Sequence, residues 1–272
     1  MGAQGTNAAY GKRTSRALVA IVVATLAAVV LVAGCPQQST ASSSSAASSS
    51  SAASSTELYF TQQEVRPSPE WVTNLDAAKE AKQLIVVAGV DKNTAYVTMH
   101  EKDANGAWQQ IIATPGFIGL EGLGEADIDH ARTPVGTFTI DKAFGLAEDP
   151  GCKMDYTQVD DTYYWSGDGR EGMHFNELVS TKDLPDLNVD DSEHIAEFDY
   201  AYRYVLNMGY NAECTYDAGF GFFLHSFRVN RPYTGGCVAV PENIMKFIMQ
   251  HVEPGCVITI DSLENMGGDL DA

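Results

Sequence analysis

The stretch from Phe220 to Ile260 constrains the fold most strongly, because one short connection joins a histidine to a cysteine. The apolar run Phe220 to Leu224 has the length and aromatic content of a β-strand, and it leads directly into His225 and Ser226. Two glycines precede Cys237, and glycine allows the backbone angles and close approach that an accessible thiol needs. We therefore expect His225 at a strand end, facing the loop that carries Cys237.

A helix is predicted shortly after this cysteine. Pro241 suits the first helical position, and Pro254-Gly255 ends the pattern. We expect the positive end of the helix dipole to favour a thiolate at Cys237. The backbone N–H groups of Gly236 and Cys237 are candidates for binding an oxyanion. The apolar residues at helical spacing are Ile244, Phe247, Ile248 and Val252.

The remaining patterns predict a mainly β domain, a sandwich or barrel with few helices and no internal repeat. A helix is expected from Trp71 to about Lys82. The segment 145–191 is irregular and aromatic, and we expect short strands and an excursion on the substrate side. The predicted strands are Leu84 to Ala88, Ala95 to His100, Trp108 to Ala113, Gly136 to Ile140, Tyr202 to Met208 and Val257 to Ile260.

The N-terminal part has the pattern of an export signal. Three basic residues precede a hydrophobic run from Ala17 to Ala33, which ends in Gly34-Cys35. This ending resembles the lipobox of bacterial lipoproteins, with Cys35 as the lipidated residue; a plain transmembrane anchor is the alternative. We predict a signal at 1–34, a Ser/Ala-rich flexible tether at 35–56, an extension with a short helix at 57–82, the folded domain at 83–262 and a flexible tail at 263–272. The domain is then extracytoplasmic and lipid-anchored to the cell membrane.

Charge and cysteine content narrow the partners and the compartment. A net charge of −19 argues against nucleic acid and anionic lipid as partners. Of five cysteines, Cys152 and Cys214 are predicted to pair, since disulfides persist outside the cytoplasm. Cys256 opens an apolar strand and is predicted to be a buried thiol.

Several ordered motifs, among them the TPxGxF segment from Thr133 to Phe138, the stretch from Gly219 to His225 and the stretch from Gly236 to Pro241, together resemble the L,D-transpeptidase catalytic domain (YkuD-like) family, in its GCVALP-type branch. The resemblance extends roughly from Gln83 to Asp261, nearly all of the folded part. The motif residues are Thr133 to Phe138 with Ala143-Phe144-Gly145, Trp165 with Asp168, Phe175-Asn176, Gly219 to His225, and Gly236 to Pro241.

The resemblance implies a peptidoglycan stem peptide as substrate and no metal or organic cofactor. Cys237 would attack the carbonyl of an L-centre to D-residue bond and form an acyl-enzyme, with His225 as base and then acid. The acyl group would pass to an amine of a second stem, forming a cross-link, or to water. Ser226 would orient the histidine through its side chain or backbone. The substrate groove would include Thr234, Gly235, Arg231, Trp165 and Asn176, with Arg228 and Arg231 suited to a substrate carboxylate.

Two departures from the family pattern leave alternatives open. Many members carry a second histidine where this chain has Gly235, and a polar residue where it has Ala239. Donor specificity, and the balance of transfer and hydrolysis, therefore stay open. So does a non-catalytic wall-binding lipoprotein on the same fold. A zinc site from His225, Cys237 and either Cys256 or His251 is a third hypothesis, although close paired ligand spacing is lacking.

Overall fold

The large sheet of this computed structural model, which describes residues 64–127, 130–228 and 230–269, confirms the mainly β prediction. Within these residues the sheet is mixed and curls around one core. Its strands are β1 (Arg66–Pro67), β2 (Gln83–Asp91), β3 (Thr94–Lys102), β4 (Trp108–Phe117), β7 (Gly136–Thr139), β8 (Lys142–Gly145), β9 (Tyr156–Gln158), β13 (Val205–Asn207), β14 (Phe223–Ser226), β15 (Val238–Val240) and β16 (Val257–Ser262).

The strand order is β7-β16-β2-β3-β4-β15-β14-β13-β8-β9, with β1 added to β4. Three neighbouring pairs are parallel, namely β16 with β2, β14 with β15, and β8 with β9. The central strand β2 is buried along most of its length because both of its faces are covered, and it therefore reads as a continuous apolar run. Ile85 and Val87 face the main core, whereas Leu84 and Val86 face a smaller cluster around Trp71.

Three α-helices occur in the described residues: α1 (Glu70–Thr73), α2 (Asp76–Glu80) and α3 (Glu242–His251). The single helix predicted from Trp71 is wrong, because Leu75 takes extended backbone angles and separates α1 from α2. The helix predicted after Pro241 is confirmed as α3, and its apolar face, including Ile244 and Ile248, joins the main core. No helix in the described part of the chain is both long and apolar enough to span a membrane.

The irregular middle segment contains the short strands that were predicted. A small antiparallel sheet consists of β10 (Tyr163–Trp165), β11 (Leu178–Ser180) and β12 (Glu193–His194). Before this segment, β5 (Leu123–Gly124) pairs with β6 (Thr133–Pro134) in a separate two-stranded sheet. Two 3₁₀ turns follow, at Ile195–Phe198 and Ala201–Arg203. The strand predicted from Tyr202 therefore begins only at Val205, because the second turn precedes it.

Parts of the predicted organisation lie outside the described residues. These are the signal at 1–34, the lipidation site Cys35 and the tether at 35–56, and they stay predictions. At the other end, residues 263–267 form turns, and Met266 is buried in the cluster around Trp71.

The predicted disulfide is not present. Cys152 and Cys214 are both free thiols: Cys152 lies in the connection between β8 and β9, and Cys214 lies in the turn after β13. Cys214 has a φ of 54°, and its sulfur contacts the Ala212 carbonyl of the same turn. The predicted buried thiol is confirmed, since Cys256 is 1% exposed.

Candidate active site

Strands β14 and β15 bring His225 and Cys237 to one face of the sheet. They are parallel neighbours, with Leu224 opposite Val238 and His225 opposite Ala239. Because side chains alternate along a strand, Leu224 and Val238 face the main core, whereas Phe223, His225 and the preceding Cys237 face the other way. The parallel register therefore sets the relative position of the histidine and the cysteine.

The strand that carries the histidine is shifted from its predicted position. β14 begins at Phe223 rather than Phe220, because Gly219 and Gly221 have φ values of 87° and 73° and interrupt the extended backbone. His225 therefore lies inside the strand, with Ser226 as its last residue.

Cys237 lies directly before β15, and backbone groups hold its sulfur. The thiol donates to the Gly221 carbonyl oxygen at 3.4 Å, and the Phe223 N–H donates to the sulfur at 3.4 Å. Both partners belong to the segment that leads into β14. The nucleophile candidate is therefore tied to the strand of its proposed base.

The predicted position of Cys237 next to a helix N-terminus is wrong. Strand β15 separates Cys237 from α3, which begins only at Glu242, so the helix N-terminus is not next to the sulfur. Burial raises the pKa of the Cys237 thiol to about 12, and the nearby Glu193 carboxylate raises it further. The cysteine is therefore protonated at neutral pH.

His225 is 4% exposed, and its ring is fixed by a backbone group. Its Nδ1 lies 2.7 Å from the Ser226 carbonyl oxygen, which can only accept, so we assign the proton to Nδ1 and the lone pair to Nε2. Burial lowers the pKa of His225 to about 4; Arg228 acts in the same direction, and the hydrogen bond to Ser226 opposes it. The imidazole is neutral at pH 7.

Ser226 orients the histidine through its backbone and not through its side chain. The Ser226 hydroxyl lies on the opposite face of β14, fully buried, and it has no hydrogen-bond partner among the described residues. Of the two routes that the sequence left open for Ser226, the structure contains the backbone one.

Two threonine hydroxyls hold the loop that presents the cysteine. Thr234 Oγ1 donates to the Cys237 carbonyl oxygen at 2.6 Å, and Thr133 Oγ1 donates to the same oxygen at 3.2 Å. Thr133, from the TPxGxF motif, also accepts from the Gly119 N–H at 2.8 Å. The motif thus supports the cysteine although it is distant in sequence.

The two glycines before the cysteine differ in what they tolerate. Gly236 has a φ of 144°, and a Cβ there would lie 2.6 Å from the Phe222 ring, so the position requires glycine. Its N–H donates to Thr234 Oγ1 at 3.1 Å and is therefore engaged, and its expected role as an oxyanion donor stays a prediction. A Cβ on Gly235 would meet no atom within 4 Å. The space beside Gly235, where many members of the resembled family carry a second histidine, is open.

His225 and Cys237 line a cleft of about 480 Å³. Two arginine side chains line it: the Arg228 guanidinium is 5.0 Å from the Phe198 ring, and that of Arg231 is 5.4 Å from the Tyr233 ring. Of the predicted groove residues, the cleft contains Thr234, Gly235 and Arg231. The other lining residues are Asp127, His130, Ala131, Glu193, Tyr202, Gly219, Phe220, Gly221, Phe222 and Gly236.

Trp165 and Asn176 were predicted to form the groove wall, but their side chains lie in the interior behind it. Trp165 is 1% exposed and packs against Phe144 and Phe223. Its indole N–H donates to Asn176 Oδ1 at 2.8 Å, and the same oxygen accepts from the Gly221 N–H at 3.1 Å. They therefore act indirectly, by holding the segment whose carbonyl contacts Cys237.

Sequence reasoning missed Glu193 and Tyr202, which line the cleft beside the cysteine. The Tyr202 hydroxyl donates to Glu193 Oε1 at 2.6 Å, and the Tyr202 ring lies edge-on to His225 at 5.2 Å between ring centroids. Alternating aromatic residues around Tyr202 had predicted a strand, and no motif singles out Glu193.

The zinc hypothesis has no ligand set in this region. Among the described residues, no group of three or more histidine, cysteine, aspartate or glutamate side chains is arranged to hold a metal ion. Cys256 lies buried at the start of β16, and His251 hydrogen-bonds to the Phe247 carbonyl at the end of α3.

Comparisons with known proteins identify the family of this chain. Residues 82–260 match the sequence profile of the YkuD family, described as the L,D-transpeptidase catalytic domain. No curated protein matches the chain. Two solved structures are similar: the helical cell shape determining protein Pgp2 from Campylobacter jejuni, at 16% identity, and a fused Zn-dependent amidase/peptidase/peptidoglycan-binding domain-containing protein from Clostridium acetobutylicum, at 15%.

These structural matches are distant. They cover 66% of this chain in each case, with 47% of Pgp2 at a TM-score of 0.37 and 52% of the Clostridium protein at 0.31. The chain thus spans about half the length of the solved structures that it matches. The family profile, in contrast, extends over well more than half of this chain. This protein therefore belongs to the L,D-transpeptidase catalytic domain (YkuD) family.

Proposed function

We propose that this protein is a cysteine-dependent L,D-transpeptidase that acts on peptidoglycan stem peptides through a Cys237 acyl-enzyme. The observation that carries the proposal is the parallel pairing of β14 and β15, with Cys237 and His225 on one face and in one cleft. Nucleophilic cysteine catalysis needs a thiol, a neutral base that can accept its proton, and a site for the substrate carbonyl beside them.

Acylation begins with a neutral thiol and a neutral imidazole. Cys237 Sγ attacks the carbonyl carbon that precedes the terminal D-residue, and the thiol proton passes to His225 Nε2. The tetrahedral intermediate collapses as the bond to the leaving nitrogen breaks, and His225 returns the proton to that nitrogen. A thioester and a free D-amino acid result. Because Nδ1 is bonded to the Ser226 carbonyl, the ring presents Nε2 in both steps.

The second half-reaction transfers the acyl group. An amine of a neighbouring stem attacks the thioester carbonyl, His225 Nε2 takes the proton of the attacking nitrogen, and the sulfur leaves and is reprotonated. With an amine the product is a cross-link, and with water it is a shortened stem. The open space beside Gly235 favours neither acceptor by itself.

Charge in the cleft supports an anionic substrate terminus. Arg228 and Arg231 supply guanidinium groups, which suit the terminal carboxylate of a donor stem. We propose the Cys237 N–H as the oxyanion donor, since the Gly236 N–H is engaged by Thr234. A peptidoglycan substrate lies outside the cytoplasmic membrane, where the export signal and lipid anchor predicted at Cys35 would hold the domain.

The test is intact-protein mass spectrometry after incubation with a carbapenem, comparing the wild type with Cys237→Ala. Carbapenems acylate the cysteine of many members of this family. We expect a stoichiometric adduct on the wild type and none on Cys237→Ala. Incubation with a tetrapeptide stem, with and without an acceptor amine, then separates transfer from hydrolysis by product mass.

Two results would contradict the proposal. An adduct that persists on Cys237→Ala would place the nucleophile elsewhere. A folded wild type that gives neither an adduct nor any turnover of stem peptides would favour the non-catalytic wall-binding protein.

A further inference from the structure

Glu193 occupies an unusual position beside the nucleophile. It belongs to β12, where it pairs with Trp165 of β10, and its half-buried carboxyl group lines the same cleft as Cys237. Glu193 also lines a second cleft, which shares Phe198 and Phe220 with the first. The proposed mechanism gives it no role.

Tyr202 connects Glu193 to the reactive pair. Its buried ring packs edge-on against Phe223 and His225, with centroids 5.7 and 5.2 Å away. Its hydroxyl donates to Glu193 Oε1 at 2.6 Å. Cys237 packs against the cluster of buried residues that contains Tyr202 and lines the same cleft, and a hydrogen bond from the Tyr202 hydroxyl lowers the pKa of its thiol. One hydroxyl group therefore faces two candidate acceptors.

A phenol has a single proton to donate. Burial raises the pKa of Glu193, and the hydrogen bond from Tyr202 and the charge of Arg228 oppose this and favour the carboxylate. A short bond to a carboxylate is charge-assisted and about twice as strong as a neutral one, so the Tyr202 hydroxyl proton is directed to the Glu193 carboxylate and not to the sulfur. The phenol therefore has no proton left to donate to a Cys237 thiolate, whereas the protonated thiol has its own acceptor in the Gly221 carbonyl oxygen. The hydrogen bond between Tyr202 and Glu193 thus favours the protonated form of Cys237, and the charge of Glu193 acts in the same direction.

We propose that Glu193 is a positioning residue: it accepts the hydrogen bond of the Tyr202 hydroxyl, so this hydroxyl cannot donate to a Cys237 thiolate, and the nucleophile stays protonated. A protonated thiol resists oxidation better than a thiolate does. The other charged or titratable groups around Glu193 and Tyr202 are His225, Arg228 and Glu197. The inference rests on the proposed function only in naming Cys237 as the nucleophile.

The experiment measures iodoacetamide alkylation of Cys237 in the full-length protein from pH 6 to 10, quantified on the Cys237 peptide. We expect Glu193→Gln to raise the rate at pH 7.5 about three- to tenfold and to move the pH profile to lower pH. Glu197→Gln is the matched control: it also removes one negative charge near the cleft, but Glu197 does not bond Tyr202, so its rate should stay within about twofold of wild type.

A double-variant cycle separates the hydrogen bond from the charge. In a Tyr202→Phe background, Glu193→Gln should lose most of its effect. Glu193→Asp, which keeps the charge but withdraws the carboxylate, should also react faster than wild type. This variant tests the proposal even if Glu193→Gln fails to fold, as thermal melts would reveal.

Three outcomes would overturn the inference: an unchanged rate in folded Glu193→Gln, an equal increase with and without the Tyr202 hydroxyl, or a Glu193→Asp rate at the wild-type value. Alkylation needs neither a stem peptide nor acyl transfer, so its result is independent of the carbapenem experiment.

Discussion

The regions around His225 and His100 contain the same side chain, buried to nearly the same extent, in different hydrogen-bonding surroundings. His100 of β3 is fully buried, and both of its ring nitrogens have partners: Nδ1 with the Ser68 hydroxyl at 2.8 Å and Nε2 with that of Thr98 at 2.7 Å. His225 of β14 has one partnered nitrogen, Nδ1, and among the described residues none hydrogen-bonds to its Nε2.

Both histidines are neutral for the same reason. Burial lowers the pKa of His100 to about 3 and that of His225 to about 4. Arginine charges, from Arg66 and Arg228 respectively, act in the same direction. A perturbed pKa therefore does not distinguish the proposed base His225 from the structural histidine His100. The distinguishing feature is the second nitrogen, which is closed off by a hydroxyl in one case and lines a cleft in the other.

The largest expected effect is a loss of reactivity when the histidine beside Cys237 is replaced. Replacing His225 with glutamine removes the base but leaves an amide that can donate to the Ser226 carbonyl. We expect His225→Gln to slow carbapenem acylation by about 10²- to 10⁴-fold, with a thermal melt close to wild type. Time-resolved intact mass and melting curves measure both. Acylation at the wild-type rate would remove His225 from the mechanism.

The converse variant, His100→Gln, should change stability and not reactivity. Glutamine cannot reproduce both contacts of the ring, so one of the hydroxyl groups of Ser68 and Thr98 is left without a partner. We expect a loss of about 1–3 kcal/mol in the free energy of unfolding, with acylation within about twofold of wild type. Urea titrations test the first part. A large loss of acylation in a folded His100→Gln protein would erase the distinction between the regions.

The smallest effect concerns pH. Unfolded His100 binds a proton near pH 6.5, whereas the folded form resists protonation until about pH 3, so the unfolded state holds more protons between these values. The contribution of neutral His100 to the free energy of unfolding is therefore fully present above pH 6.5 and declines as the pH falls towards 3. The contribution lost by pH 5.5 is about 1.4 kcal/mol.

His225 adds a similar slope to both proteins, so the comparison uses the difference between wild type and His100→Gln. This difference should shrink by about 1.4 kcal/mol from pH 7.5 to pH 5.5. Urea titrations at the two pH values measure it. A constant difference would mean that His100 takes up its proton over the same pH range in the folded and the unfolded state, so that folding does not lower its pKa.

The periodic elements were predictable from sequence because their patterns are local. The apolar run in β2 and the spacing along α3 each identify an element before any contact is known. His225 and Cys237 were found in the same way, since glycines and a strand pattern flank them. The strand start at Phe223 was missed because Gly219 and Gly221 interrupt a run whose composition is otherwise typical of a strand.

The supporting contacts were not predictable because they join residues that are distant in sequence. Thr133 donates to the carbonyl oxygen of Cys237. The chain turns back through two 3₁₀ turns after Glu193, and this allows Tyr202 in the second turn to donate to Glu193. Trp165 was expected to contact substrate, yet its indole N–H bonds to Asn176 in the interior. A motif shows which residues take part, whereas their direction depends on the packing of the whole domain.

The position of β16 affects how the domain can form during synthesis. This strand lies between β2 and β7, and it pairs in parallel with β2, Leu84 opposite Val257 and Ile85 opposite Ile258. A chain that emerges with its N-terminus first cannot complete the sheet until β16 has been made. Until then, the edges of β2 and β7 lack their shared neighbour, so the large sheet is completed only by one of the last segments to be synthesised.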